Sequence, residues 1–135
     1  MAERLELYKC NVCGNIVEII HGGEGTLVCC SLPMEKLKEH NNDEEMKEKH
    51  VPVVVMDGDN KIIRVGTIEH PMQKEHYIIF IEAISEDKKY LKRKYLCPEE
   101  APEMDIQKCN YNKFIARELC NLHGLWTNNS IKKTD

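Results

Sequence analysis

Val51-Pro52-Val53-Val54-Val55-Met56, then Asp57-Gly58-Asp59-Asn60, then Lys61-Ile62-Ile63-Arg64-Val65 is the stretch that decides the fold class. Two β-branched runs around a Gly- and Asp-containing turn predict an antiparallel hairpin. β-branched side chains suit a pleated, half-buried surface, and glycine supplies the positive φ of a tight turn. Toward the C-terminus, similar runs predict strands at Tyr77 to Ile84, Tyr90 to Leu96, Met104 to Cys109 and Lys113 to Leu119. Turn residues separate them at the spacing of a sandwich or barrel, and helical periodicity is hard to find after residue 50. The larger part of the chain therefore reads as all-β.

Toward the N-terminus, Leu5-Glu6-Leu7-Tyr8-Lys9 alternates like a short strand leading into Cys10-Asn11-Val12-Cys13. His21-Gly22-Gly23-Glu24-Gly25 reads as a turn, Thr26 to Cys29 as a returning strand, and Pro33 to Leu37 as a turn of helix. The polar run Glu39-His40-Asn41-Asn42-Asp43-Glu44-Glu45 reads as a solvated linker, dividing the chain into domains 1–38 and 39–135. The first domain is too small to build much of a core, a circumstance in which a structural metal usually substitutes for buried apolar area.

That domain carries four of the seven cysteines, Cys10, Cys13, Cys29 and Cys30. Four thiolates complete a tetrahedral shell for zinc or iron. Adjacent Cys29 and Cys30 form a tighter chelate than Cys-x-x-Cys, which predicts a distorted tetrahedron. The competing reading is a pair of disulfides in a secreted domain. The charged start Met1-Ala2-Glu3-Arg4-Leu5-Glu6, without an apolar signal core, counts against it and predicts a reducing cytoplasm.

Net charge is −4, with 41% hydrophobic and 31% charged residues. An acidic balance argues against nucleic acid as the main partner, and no run is long enough for a membrane-spanning helix. An anionic substrate would need local positive charge to draw it in.

A second constellation lies in the larger domain: His50, which the β-branched run places at the start of a strand, His70 and His76 around a short loop, and Cys120-Asn121-Leu122-His123-Gly124. Imidazole with thiolate suits iron, copper or zinc. Singly, each histidine reads more simply as an ordinary core or surface residue, and Cys120 with His123 also fits a thiol nucleophile and its base.

Cys10-x2-Cys13 with Cys29-Cys30, then Glu48-Lys49-His50, His70-Pro71-Met72, His76 and Cys120-Asn121-Leu122-His123-Gly124-Leu125-Trp126 resemble desulfoferrodoxin, the two-iron superoxide reductase family, over essentially the whole chain. The resemblance implies a desulforedoxin-like domain holding iron on Cys10, Cys13, Cys29 and Cys30, followed by an immunoglobulin-like β-barrel or sandwich. It implies a second iron with His50, His70, His76 and His123 in a plane, Cys120 axial and the sixth position open. The implied activity is one-electron reduction of superoxide to hydrogen peroxide. Glu48 resembles the glutamate that closes over the sixth position, and Lys49 the lysine that attracts superoxide. A rubredoxin or similar small donor, a homodimer and a cytoplasmic location are implied as well. Cys97 and Cys109 match no ligand position and read as free, partly buried thiols. The rival readings are a zinc-ribbon binding module and a rubredoxin-like electron carrier without a catalytic centre.

Overall fold

The computed structural model describes residues 2–41, 47–58, 60–106 and 114–128. The chain divides into two compact units, residues 1–38 and 39–135.

The small unit holds five short strands. β1 (Leu7–Lys9) pairs antiparallel with β2 (Ile16–Glu18) and with β5 (Glu35–Lys36), while β3 (Val28–Cys29) and β4 (Leu32–Pro33) form a separate hairpin. The predicted turn of helix at Pro33 to Leu37 is absent. That segment adds strands to both small sheets, because Met34 N–H donates to the Leu27 carbonyl and Leu37 N–H to the Leu7 carbonyl. Among the described residues of this unit only Leu7 and Cys10 are fully buried apolar residues, so a metal at the cysteine cluster would take the part that a core plays in a larger domain.

In the large unit, β6 (Glu39–His40) and the short α1 (Lys47–His50) precede β7 (Pro52–Asp57), β8 (Asn60–Val65), β9 (Ile78–Ser85), β10 (Leu91–Tyr95), β11 (Glu103–Asp105), β12 (Phe114–Cys120) and β13 (Gly124–Asn128). They form one sheet in the order β10-β9-β12-β13-β6 and another in the order β11-β8-β7. Between these sheets lies an apolar core that includes Ile63, Val65, Ile78, Ile81, Met104 and Phe114. Among the described residues the strands make a sandwich-like fold that is not a closed barrel. At one edge, lysines on β10 span the gap: Lys92 Nζ donates to the Asp105 carbonyl (2.5 Å) and Lys94 Nζ to the Glu103 carbonyl (3.4 Å). Side chains stand there in place of the backbone ladder that closure requires.

The β7–β8 hairpin keeps Asp57 opposite Asn60 with Gly58 at φ 65°, the left-handed conformation a two-residue loop needs. His50 ends α1 and does not begin a strand, and β7 starts at Pro52, whose missing N–H is tolerated at a first strand position. Glu39 and His40 are also not linker: they pair in parallel with Leu125 and Trp126 of β13. β13 was not expected at all. It follows β12 through the short loop Asn121-Leu122-His123, closed by the Cys120–Gly124 pair with Gly124 at φ 84°. The expected strand at Met104 to Cys109 is confined to Glu103–Asp105 among the described residues, and Cys109 lies outside them.

Candidate metal centres

In the small unit, Cys10, Cys13, Cys29 and Cys30 bring their sulfurs within 4.8 Å of one another. Cys13 Sγ lies 3.6 Å from Cys29 Sγ, and Cys29 Sγ 4.0 Å from Cys30 Sγ. A disulfide would need about 2.05 Å. Sulfurs about 2.3 Å from a shared ion stand about 3.8 Å apart in a regular tetrahedron, which matches. Local backbone explains the convergence. The Cys10–Cys13 turn closes with Gly14 N–H on the Cys10 carbonyl (3.0 Å), with Gly14 at φ 84°. The adjacent pair works because Cys29 faces Leu32 across a hairpin whose two loop residues, Cys30 and Ser31, are both left-handed (φ 53° and 65°). Neither is glycine, so strain is stored at a ligand.

Without a cation the Cys10 and Cys29 thiols are driven in opposite directions. Backbone N–H groups of Cys13 and Val12 pull the Cys10 thiol down to about 6. Neighbouring thiols Cys13 and Cys10 push Cys29 up to about 12, and raise Cys30. A divalent ion ionises all four at once and removes that conflict.

In the large unit, ligand atoms of His50, His70, His76 and Cys120 lie within 4.8 Å of one another. His123 joins them: its Nδ1 is 3.1 Å from His50 Nε2 and 3.9 Å from Cys120 Sγ, and its ring centroid is 4.9 Å from that of His76. His70 Nε2 is 3.1 Å from His50 Nε2, while its Nδ1 lies 2.6 Å from the Pro71 carbonyl. That carbonyl holds the proton on Nδ1 and leaves the Nε2 lone pair facing the cluster. His76 Nε2 is buried with no partner. Burial lowers His70 to about 4 and also lowers His76, so both imidazoles are neutral, the ligand form, at ordinary pH. Burial raises the Cys120 thiol against the opposing pull of the His123 and Leu122 N–H groups. Ring nitrogens of His50, His70 and His123 in 3.1 Å contacts, the orphaned His76 Nε2 and a thiol fit one soft-to-borderline metal ion.

Topology delivers these groups from four places. A register shift between Leu119 and Cys120 re-aims the end of β12, the β12–β13 loop supplies His123, α1 ends in His50, and the β8–β9 connection carries His70 and His76. Lys49 is exposed, and its charge helps lower the His76 pKa. The Glu48 side chain lies outside the described residues. Cys97 is free but exposed, not partly buried, and its thiol is raised by the Glu100 carboxylate.

Sequence reasoning assigned no role to two residues that brace this cluster. Trp126 stacks on His50 with centroids 4.8 Å apart, and His40 packs on Trp126 at 4.9 Å. Trp126 ends a recognisable motif, a signal that could have flagged it. His40 lay inside a polar run with no such signal.

The sequence profile described as "Desulfoferrodoxin, N-terminal domain" matches residues 2–37, and that described as "Desulfoferrodoxin" matches residues 42–129. The chain belongs to the desulfoferrodoxin family. It is 49% identical to the desulfoferrodoxin of Syntrophotalea carbinolica, over 94% of this chain and 98% of the relative. Residues of the small unit are similar to the desulforedoxin of Megalodesulfovibrio gigas, 47% identical over 27% of this chain and 97% of the relative. Among solved structures, the superoxide reductase from Treponema pallidum superposes with a TM-score of 0.68 at 26% identity, over 94% of this chain and 98% of that one. Among the described residues no helix is long and apolar enough to cross a membrane.

Proposed function

We propose that this chain is a superoxide reductase with two irons, one held by Cys10, Cys13, Cys29 and Cys30 in a domain of residues 1–38, the other by His50, His70, His76, His123 and Cys120 in a catalytic domain of residues 39–135. The observation that carries this reading is the convergence of four imidazoles and one thiol in a unit separate from the four-cysteine cluster. When bound there, iron supplies one electron to superoxide, which takes up two protons to become hydrogen peroxide.

The protein's own contribution follows from charge. Neutral imidazoles add no negative charge, and one thiolate leaves a ferrous site net positive toward an anion. Cys120 provides a soft, electron-rich donor, and the N–H groups of Leu122 and His123 stabilise its thiolate. Lys49 stands exposed within electrostatic reach of His76 and draws an anion toward a chain of net charge −4. The family resemblance gives Glu48, next to Lys49 in sequence, the role of a carboxylate that would cover an iron held there when substrate is absent. A rubredoxin-like carrier in the cytoplasm returns the electron, and the chain works as a homodimer. Support for the carrier and the dimer is the family resemblance alone, and the cytoplasmic location rests on that resemblance and on the thiol-bearing composition.

Anaerobic ferrous protein mixed with pulsed superoxide tests the reading. One hydrogen peroxide per superoxide with no dioxygen evolved is the expected outcome. Dioxygen and peroxide at one per two superoxides would make the protein a dismutase, and a colourless zinc protein would restore the zinc-ribbon reading.

A further inference from the structure

The β9–β12 ladder ends at the pair Ile78–Cys120, one residue short of the segment that carries His76. Past that point the strands are joined by one residue, Asn121. Its backbone N–H donates to the Tyr77 carbonyl (3.1 Å). Its side-chain Oδ1 accepts from Tyr77 N–H (2.9 Å), and its Nδ2 donates to the Glu75 carbonyl (3.0 Å). The side-chain amide thus acts as an extra peptide group, gripping the backbone on both sides of His76. On its other side the backbone of His76 is bonded within its own turn, by reciprocal hydrogen bonds with Gln73 (2.9 and 3.1 Å).

Asn121 also sits in the short loop between Cys120 and Gly124 that carries His123. It therefore joins the segment bearing Cys120 and His123 to the β8–β9 connection bearing His70 and His76. His76 Nε2 has no hydrogen-bond partner among the described residues, so no hydrogen bond at that atom fixes the ring. The backbone must do so.

We propose that Asn121 is a positioning residue that sets the distance between His76 and the Cys120–His123 loop, and thereby how tightly the cluster holds its metal. This inference rests on reading the cluster as an iron site. Groups that orient metal ligands from outside the coordination shell change metal affinity by roughly 10–100-fold when removed. Asn121→Ala removes both side-chain bonds. Asn121→Asp keeps an acceptor for Tyr77 N–H but turns the donor facing the Glu75 carbonyl into a repelling oxygen, so it reports the Glu75 half of the grip.

The test is anaerobic release of ferrous iron to ferrozine from the full chain, with melting of the metal-free protein recorded in parallel. The four-cysteine site in the same molecule is the internal reference. Asn121→Ala should weaken retention at the histidine–cysteine site by roughly 10–100-fold, leave the four-cysteine site within about twofold, and broaden or shift the thiolate-to-ferric absorption band. Asn121→Asp should fall between alanine and wild type. If alanine does not fold, the aspartate variant decides by the same measure. A variant with a lowered melting temperature but unaltered iron retention and absorption would make Asn121 merely structural and overturn the proposal. A wild-type chain that takes up iron only at the four-cysteine site would instead overturn the iron reading itself.

Discussion

His50 and Trp126 lie nearly parallel, with ring centroids 4.8 Å apart and planes inclined by 21°. The same indole donates its Nε1–H to the His123 carbonyl (3.0 Å), so one buried side chain touches two proposed ligand residues. Trp126 is also the sole tryptophan in the chain. Its fluorescence should fall as ferrous iron is titrated into the metal-free protein, and Trp126→Phe should remove that signal. Phenylalanine keeps a ring against His50 but loses the hydrogen bond, at a cost of about 1 kcal/mol in urea denaturation. Fluorescence that ignores the metal would separate Trp126 from the site.

At the small unit, Ser31 is left-handed beside Cys30. Ser31→Val puts a β-branched residue at positive φ and should cost about 1–2 kcal/mol, read as faster loss of the four-cysteine absorption in guanidinium. Ser31→Gly should slow that loss. Equal rates for both variants would refute backbone strain at this hairpin.

Cys13→Ser should remove one iron per chain together with the tetrathiolate spectrum, because hydroxyl is a poor ligand beside three thiolates. The histidine–cysteine absorption should remain, since its donors all lie in the other unit. Loss of both chromophores would show that the two centres form together.

Glu118 is fully buried on β12, both carboxylate oxygens lack a partner, and desolvation raises its pKa well above the ordinary value. A carboxyl held neutral in the folded state and ionised in the unfolded one contributes stability at low pH that is lost as pH rises from about 4.5 toward the folded pKa. Glu118→Gln does not titrate. Its stability relative to wild type should therefore grow between pH 4.5 and pH 8, measured by urea unfolding of the metal-free chain. A constant difference across that range would mean that Glu118 is charged in the fold.

Lys49→Ile should slow the bimolecular reaction with superoxide by roughly tenfold, which corresponds to about 1.4 kcal/mol, and flatten its dependence on salt. Pulse radiolysis at several ionic strengths measures both. An unchanged rate with unchanged salt dependence would reduce Lys49 to a solvated charge.

Much of this was legible in the chain itself. Alternation and β-branching mark the β7–β8 hairpin and β9, and thiol spacing marks the four-cysteine cluster, because these depend on residues close in sequence. The ordered motifs from Glu48 to Trp126 name the second cluster through the family they resemble. Tertiary structure alone decided how its members meet. His50 and His123 stand 73 residues apart in sequence yet 3.1 Å apart in space, a distance set by sheet order and by the register shift before Cys120. His40 left the polar run to pair with β13 because a short edge segment gains its hydrogen bonds from a partner strand that local sequence does not reveal. Asn121's grip on both neighbours of His76 was hidden for the same reason. Which backbone a side chain reaches depends on where non-local strands end, and no pattern within the chain encodes that.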